Sequence, residues 1–505
     1  MNEDDSLIRM RTWLLLGCLT LAALAQTVPY HERYRPQFHF SPRENWTNDP
    51  NGLVYMNGTY HLFFQYNPFG DTWGHMSWGH ATSPDMVHWK QENVALPEAN
   101  DIMIFTGSTV VDHKNTSGFC KGKQGCMVAI YTGHTMKTAS KPALQTQNLA
   151  YSNDDGRTWT KFTGNPVLDL HMADFRDPKV FWSEAGNRWT MVVSLPDDHK
   201  ARFYGSPDLK KWTQISEFGP EGATGGQWEC PELFELPVDA KTSHKTRWVL
   251  KIGLNPGGLQ GGSGEQYFVG RFDGTAFKND NPPSRTLWTD YGKDCYCALT
   301  FNNLPPPQSQ AMIGWMNNWQ YANVVPTSPW RGQMTVPRAL SLKTYPEGIR
   351  LVQQPIAALA KLRGQHYTMR NLSTARGQTL ELISTIGIGQ ATEVGWKLLG
   401  ADGTFTAVGY DVRAKQVFVD RTHSGNVGFS DKFPARVSAP FEALGQLKLH
   451  LLVDQSSVEV FVGDGQVALT NLVYPPKDGT SLEFYSAGGS PGQVAADVFT
   501  LHSIW

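Results

Sequence analysis

The sequence is poor in cysteine, with six in 505 residues, so no dense disulfide framework can stand in for a packed core. It has no long run of one charge sign. Lys and Arg number 44 against 46 Asp and Glu, for a formal net charge of -2. That balance gives no electrostatic footprint for a nucleic-acid or polyanion partner. Only one stretch, Thr12 to Ala25, is strongly apolar, and nothing else is long enough to cross a bilayer. Histidines do not cluster in register with the acidic motifs, so neither a metal nor a cofactor is expected. A chain of this length exceeds one ordinary core, which makes two domains the natural division. Its 17 Trp, 17 Tyr and 25 Phe suit sugar stacking and a β-rich core equally well.

The apolar stretch follows Arg9 and Arg11 and ends in Ala23-Leu24-Ala25, the small-residue pattern of a cleaved secretory signal. Residues 1–25 are therefore read as a signal peptide and the mature protein as secreted and extracellular. Glu3-Asp4-Asp5 is untypical of such a leader, and a start at Met10 would give a cleaner one. Secretion gives meaning to the sequons at Asn45, Asn57, Asn115 and Asn371. Cys18 departs with the signal, leaving five cysteines and at least one unpaired. Cys120 and Cys126 are the best disulfide candidates. Cys295 and Cys297 stand too close to bridge each other easily, and Cys230 reads as a small buried residue rather than a nucleophile.

Five segments look alike: Thr59–Phe64, Cys126–Tyr131, Arg188–Val193, Arg247–Ile252 and Gln310–Trp315. Each is a continuous run suited to a strand buried on both faces. Another strand candidate precedes each, opening at Asp49, Thr106, Asp177, Glu229 and Asp294. After three of them comes a Ser-x-Asp turn closed by Trp, at Ser83/Trp89, Ser152/Trp159 and Ser206/Trp212. The pattern predicts an all-β chain: a five-bladed β-propeller over 30–350, a linker over 351–364, and an antiparallel β-sandwich over 365–505. In a propeller the first strand of each blade lines the central channel, so those five openings converge.

Three openings carry short acidic motifs: Asn48-Asp49-Pro50-Asn51-Gly52, Arg176-Asp177-Pro178 and Trp228-Glu229-Cys230-Pro231. Alone, each is a turn or a local ion pair. Together, in an aromatic pocket without metal ligands, they suit acid/base and nucleophilic work on a glycosidic bond.

Trp46–Gly52 with Tyr60–Pro68, Phe175–Pro178, Trp228–Pro231, Ile313–Trp319 and Asp454–Phe461 together resemble glycoside hydrolase family 32. That is the invertase, exo-inulinase and levanase group, and the similarity is greatest to secreted, fungal-type exo-inulinases. The resemblance implies Asp49 as nucleophile, Glu229 as general acid/base and Asp177 as transition-state stabiliser. It implies Asn48, Gln65, Trp73, Thr106, Arg176, Trp319 and Asp294 as substrate contacts, and matches Tyr296 to the same site motif. The turn around Asp49 is expected to supply N–H groups that favour its charged form. Neighbouring carboxylates and Trp228 are expected to keep a proton on Glu229. The implied activity is exo-hydrolysis of terminal β-fructofuranosyl residues of sucrose, inulin or levan with retention, which needs the Asp49 and Glu229 carboxyls about 5–5.5 Å apart. A fructosyltransferase shares these acids, and a fructan-binding lectin on a retired scaffold is the reading from another class. Departures from the family pattern are Thr47 for Met, Thr106 for Ser, and Cys295 and Cys297 for an aromatic and a small residue.

Overall fold

The computed structural model describes residues 30–505 apart from 123, 241, 243, 307, 309, 371, 373, 374, 376, 401 and 477–480. The expected signal segment and the sequon at Asn371 lie outside the described residues. Of the other sequons, Asn57 and Asn115 are exposed and Asn45 is half-buried. Among the described residues no helix is long and apolar enough to cross a membrane.

Five antiparallel-stranded sheets follow one another along the first two thirds of the chain. Their first strands are Asn45–Met56, Ile102–Val111, Arg176–Ser183, Gln227–Pro237 and Tyr296–Thr300. Their second strands take up the five apolar runs named above, with Cys126 and Gln310 standing one residue ahead of theirs, and are mostly buried. First strands of successive sheets pack on one another, and the last packs on the first, so the sheets close a propeller ring. Trp330–Arg331 pairs in parallel with Asn45–Trp46 and ties late chain to the first sheet.

The Trp-bearing turns form as their composition dictates. Asp154 Oδ1 accepts the Thr158 N–H at 2.9 Å, and the Trp159 indole donates to the Gly156 carbonyl at 3.0 Å. Asp85 and Asp208 each accept two backbone N–H groups in the same way.

The hairpin of Arg338–Tyr345 and Gly348–Pro355 completes the fifth sheet, so that sheet continues five residues past the 350 expected from sequence. The helix-like link is a 3-10 turn over Ala357–Leu362. Beyond it a six-stranded and a five-stranded sheet face each other across a core that includes Trp396, Val408, Leu449 and Val460. The clean alternation of Leu447–Leu451, within the strand Gln446–Asp454, follows from having one face inward.

Candidate active site

All five first strands lose register at the same depth. The shifts fall between Thr47 and Pro50, Ile104 and Gly107, Arg176 and Lys179, Glu229 and Glu232, and Tyr296 and Leu299. A bulge turns an extra residue out of the ladder and re-aims its side chain. Asp177, Cys230 and Cys297 stand inside these irregularities at φ of 67°, 49° and 44°. Such left-handed backbone is costly for side chains other than glycine and gathers at functional sites.

The bulges surround a cavity of about 410 Å³ lined by Asn48, Asp49, Gln65, Trp73, Thr106, Arg176, Asp177, Glu229 and Trp319. Every site residue expected from sequence is present except Asp294. Asp294 precedes its strand and is fully buried against the sandwich. It receives Arg421 Nη1 at 2.5 Å, the Leu472 N–H at 2.8 Å and the Tyr321 hydroxyl at 2.5 Å. The substrate-contact expectation for Asp294 is therefore corrected: three protein donors occupy it at the domain boundary. The fifth strand instead contributes Tyr296, two residues on.

Glu229 is the best-held acid. Arg176 donates to Oε1 through Nε at 3.1 Å and Nη2 at 2.9 Å, and the Tyr296 hydroxyl donates to Oε2 at very short range. Burial first, then the charge of Glu229, pushes the Tyr296 phenol well above its usual range, so it remains a donor. Arg176 is itself gripped by Asp174 at 2.6 Å and by Gln227 at 2.7 Å. Three carboxylates, Asp174, Asp177 and Glu229, thus act on one guanidinium at the cavity wall, with Asp49 beside them.

Asp49 accepts the Thr106 hydroxyl on Oδ2 at 2.6 Å, while its Oδ1 is buried without a hydrogen bond. Burial raises its pKa to about 6, opposed by Thr106 and reinforced by the charge of Glu229. The expectation that turn N–H groups would hold Asp49 ionised is thereby corrected, since burial outweighs the few donors that reach it. Asp177 accepts the Cys230 N–H on Oδ2 at 2.9 Å. Burial lifts it to about 7 against Arg176, with Glu229 and Asp49 adding to the rise.

Trp319 stacks on Trp46 at 5.8 Å, and Trp73, 37% exposed, stands edge-on to Phe105 at 6.1 Å, so both serve as apolar walls. Asn48 is oriented by the Trp46 indole at 2.8 Å, and Gln65 donates to the Ile104 carbonyl at 3.0 Å. Thr47, which departs from the family pattern, points away and donates to the Gln65 carbonyl at 2.9 Å. Further along the same strands, Lys179 donates to Thr300 at 2.9 Å and pairs with Glu232 at 3.0 Å, all buried. This polar plug closes the axis, so the cavity is a pocket with a floor and not a tunnel.

Several lining residues escaped the sequence reading: Phe105, His134, Met136, Gln145, Asp174 and Asn255. Asp174 carried a faint signal, standing two residues before Arg176. Among the described residues two disulfides are formed and one cysteine is free. Cys120–Cys126 is the expected candidate, whereas Cys230–Cys297 corrects the reading of Cys230 as merely a small buried residue. Cys295 is the free, buried one. Among the described residues the one group spaced to hold a metal is Asp49, Cys230 and Cys297. Two of its three ligand atoms are spent in the disulfide, so the donor set does not fit a resident ion.

Residues 39–355 match the model of the glycosyl hydrolases family 32 N-terminal domain, and 356–505 that of the family 32 C terminal. The chain is 46% identical to a levanase of Bacillus subtilis (strain 168), covering 97% of this chain and 74% of the relative. It is 42% identical to an extracellular exo-inulinase of Aspergillus ficuum, covering 96% and 98% respectively. Among solved structures it superimposes on exo-inulinase from Aspergillus awamori with a TM-score of 0.88 at 41% identity, covering 94% of this chain and 100% of that one. A β-fructofuranosidase from Schwanniomyces occidentalis complexed with fructosyl-erythritol gives 0.84 at 33% identity, covering 95% and 99%. With both domain models matched end to end around a pocket of carboxylates, the chain belongs to glycosyl hydrolase family 32 and is a glycoside hydrolase.

Proposed function

We propose that this chain is a secreted, exo-acting β-fructofuranosidase that releases terminal fructose from sucrose, inulin or levan with retention of configuration. The observation that carries the reading is the floored pocket with Asp49, Asp177 and Glu229 at its wall. A pocket that ends in a buried plug admits a chain end and excludes the middle of a polymer, which favours exo over endo cleavage. Secretion is supported by the signal-like segment 12–25 and by relatives described as extracellular.

In this mechanism the Asp49 carboxylate, one of the groups lining the cavity, attacks the anomeric carbon. Glu229 protonates the leaving oxygen and then deprotonates the water that hydrolyses the fructosyl-enzyme. Tyr296 and Arg176 hold Glu229 from two sides, which fixes its direction through both steps. Positive charge develops on the ring in the transition state, and Asp177 offsets it. The positive charge that develops on the substrate thereby adds to that of Arg176, and favours the ionised forms of Asp49 and Asp177 when they are needed.

The reading is tested with Asp49→Ala and Glu229→Ala, each expected to lower kcat at least about a thousandfold while the fold is retained. Undiminished turnover in either would refute the assignment. Proton NMR of the first-formed fructose should show the retained anomer. Transfer in place of hydrolysis would appear as kestose dominating the products at high sucrose.

A further inference from the structure

We propose that the Cys230–Cys297 disulfide is a positioning device for this site and makes turnover depend on an oxidising environment. The inference rests on the hydrolase reading above. Cys230 immediately follows Glu229, and Cys297 immediately follows Tyr296, the residue that donates to Glu229. The bridge spans 67 residues and joins the first strands of the fourth and fifth sheets, which share no ladder. It is therefore a covalent tie between the acid/base and its donor.

The bridge also reaches the other two acids. The Cys230 N–H donates to Asp177 Oδ2 at 2.9 Å, and Cys230 Sγ lies 3.8 Å from Asp49 Oδ2. A sulfur in a disulfide cannot donate, so toward Asp49 it acts as a packed wall that leaves the carboxylate to Thr106. Cys230 and Cys297 both sit in bulges at positive φ, and both are at most 2% exposed. Cross-linking over-determines a backbone conformation that side chains otherwise resist. Without it, neither Cys230 nor Tyr296 is held where its hydrogen bond to a carboxylate requires. The other disulfide, Cys120–Cys126, closes a six-residue loop at the edge of the second sheet and lines no part of the cavity.

Reduction is a two-electron exchange. A dithiol such as dithiothreitol gives up two electrons and two protons, becoming its cyclic disulfide, while Cys230 and Cys297 become thiols. A freed Cys230 thiol then becomes a donor toward Asp49 and competes with Thr106. Displacement of reacting groups by a fraction of an ångström costs on the order of tenfold to a hundredfold in rate.

The experiment uses the full chain carrying Cys120→Ser and Cys126→Ser, so that only the active-site bridge is reducible. Peptide mapping without reduction should return the Cys230–Cys297 cross-link. Labelling of both cysteines by iodoacetamide in the denatured, unreduced protein would overturn the proposal. Dithiothreitol should lower kcat on sucrose about tenfold or more with KM nearly unchanged, and shift the pH–rate profile. Oxidised glutathione should restore both. Cys297→Ala in the same background should start at the lower kcat and ignore dithiothreitol. Equal kcat and pH profile with and without the bridge would sink the proposal while leaving the hydrolase reading intact. A parent protein that releases no fructose would instead sink that reading, and the cross-link would then be judged by mapping alone.

Discussion

At the scale of single residues, two acids of the site, Asp49 and Asp177, are buried against their own ionisation. Asp177 has a folded pKa near 7 against an ordinary value of 3.8. A raised carboxyl makes the folded state bind the proton more tightly than the unfolded chain does, so stability falls as pH rises from about 4 to 7. The cost is fully present above that window. Asp177→Asn should therefore raise the melting temperature at pH 8, by a stability gain on the order of 2 kcal/mol, and leave it unchanged near pH 3.5. Its amide oxygen can still accept the Cys230 N–H. Calorimetry at the two pH values checks this, and an equal gain at both would show that charge is not the cause. Thr106→Val acts on Asp49 in the opposite sense, removing the hydroxyl that lowers its pKa. The acid limb of the kcat/KM profile should then move to higher pH, and an unmoved limb would count against Asp49 as the group that must ionise. Asp49, Asp177 and Glu229 were legible in the sequence because each sits in a distinctive motif at a strand opening. Gln145, Asp174 and His134 were not, since single polar residues carry no period. Tyr296 was matched to the site from sequence, but its bond to Glu229 and the role of Cys297 appear only once the fifth strand lies beside the fourth.

At the scale of elements, the row of bulges is what converts five similar strands into one site. A regular strand would send alternate side chains into the sheet stacks, whereas each irregularity turns residues toward the axis. Gly107 shows how tightly the row is fitted. A Cβ there would come within 2.1 Å of the Ile130 carbonyl oxygen and 2.7 Å of the Tyr131 Cα, both backbone atoms of the adjacent strand. Gly107→Ala should part these strands, cost about 2 kcal/mol or more, and lower kcat by moving Thr106 off Asp49. Thermal melting with sucrose kinetics reads both effects, and a variant with wild-type melting would contradict them. The repeat of apolar second strands and Trp turns made the propeller readable, because burial on both faces leaves a run of hydrophobic residues. The bulges were not readable, since Asn-Asp-Pro and Arg-Asp-Pro serve equally as ordinary turns. The end of the fifth sheet was placed early because Arg338–Tyr345 alternates like a strand of the sandwich.

At the scale of the whole molecule, charge is buried where the propeller meets the sandwich. Arg338 pairs with Asp290 at 2.8 Å and Glu459 at 2.5 Å, and His39 bridges Asp454 at 2.8 Å and Glu459 at 2.9 Å. Though burial opposes it, the two carboxylates raise His39 to about 9. Its stabilisation is complete below about pH 6.5 and is lost as pH climbs through 9, adding to the penalty from Asp177. The two effects together favour a protein most stable in mildly acidic solution. Asp294 belongs to this boundary. In sequence it opens the fifth strand candidate as the catalytic acids open theirs, which is why it was assigned to substrate. The acids lie inside their strands, however, and Asp294 lies before its own. The decisive difference is Arg421, a sandwich residue that no propeller motif could announce. Arg421→Ala leaves Asp294 buried and unpaired and should cost roughly 3–5 kcal/mol. Asp294→Asn keeps an acceptor for Tyr321 and should cost less, and the double variant should cost less than the sum of the two. In all three the folded fraction should retain wild-type KM and kcat, because Asp294 touches no part of the cavity. A raised KM in Asp294→Asn without lost stability would return Asp294 to the substrate site. Stability lost at unchanged KM would instead show that the sandwich holds the propeller together through this buried charge.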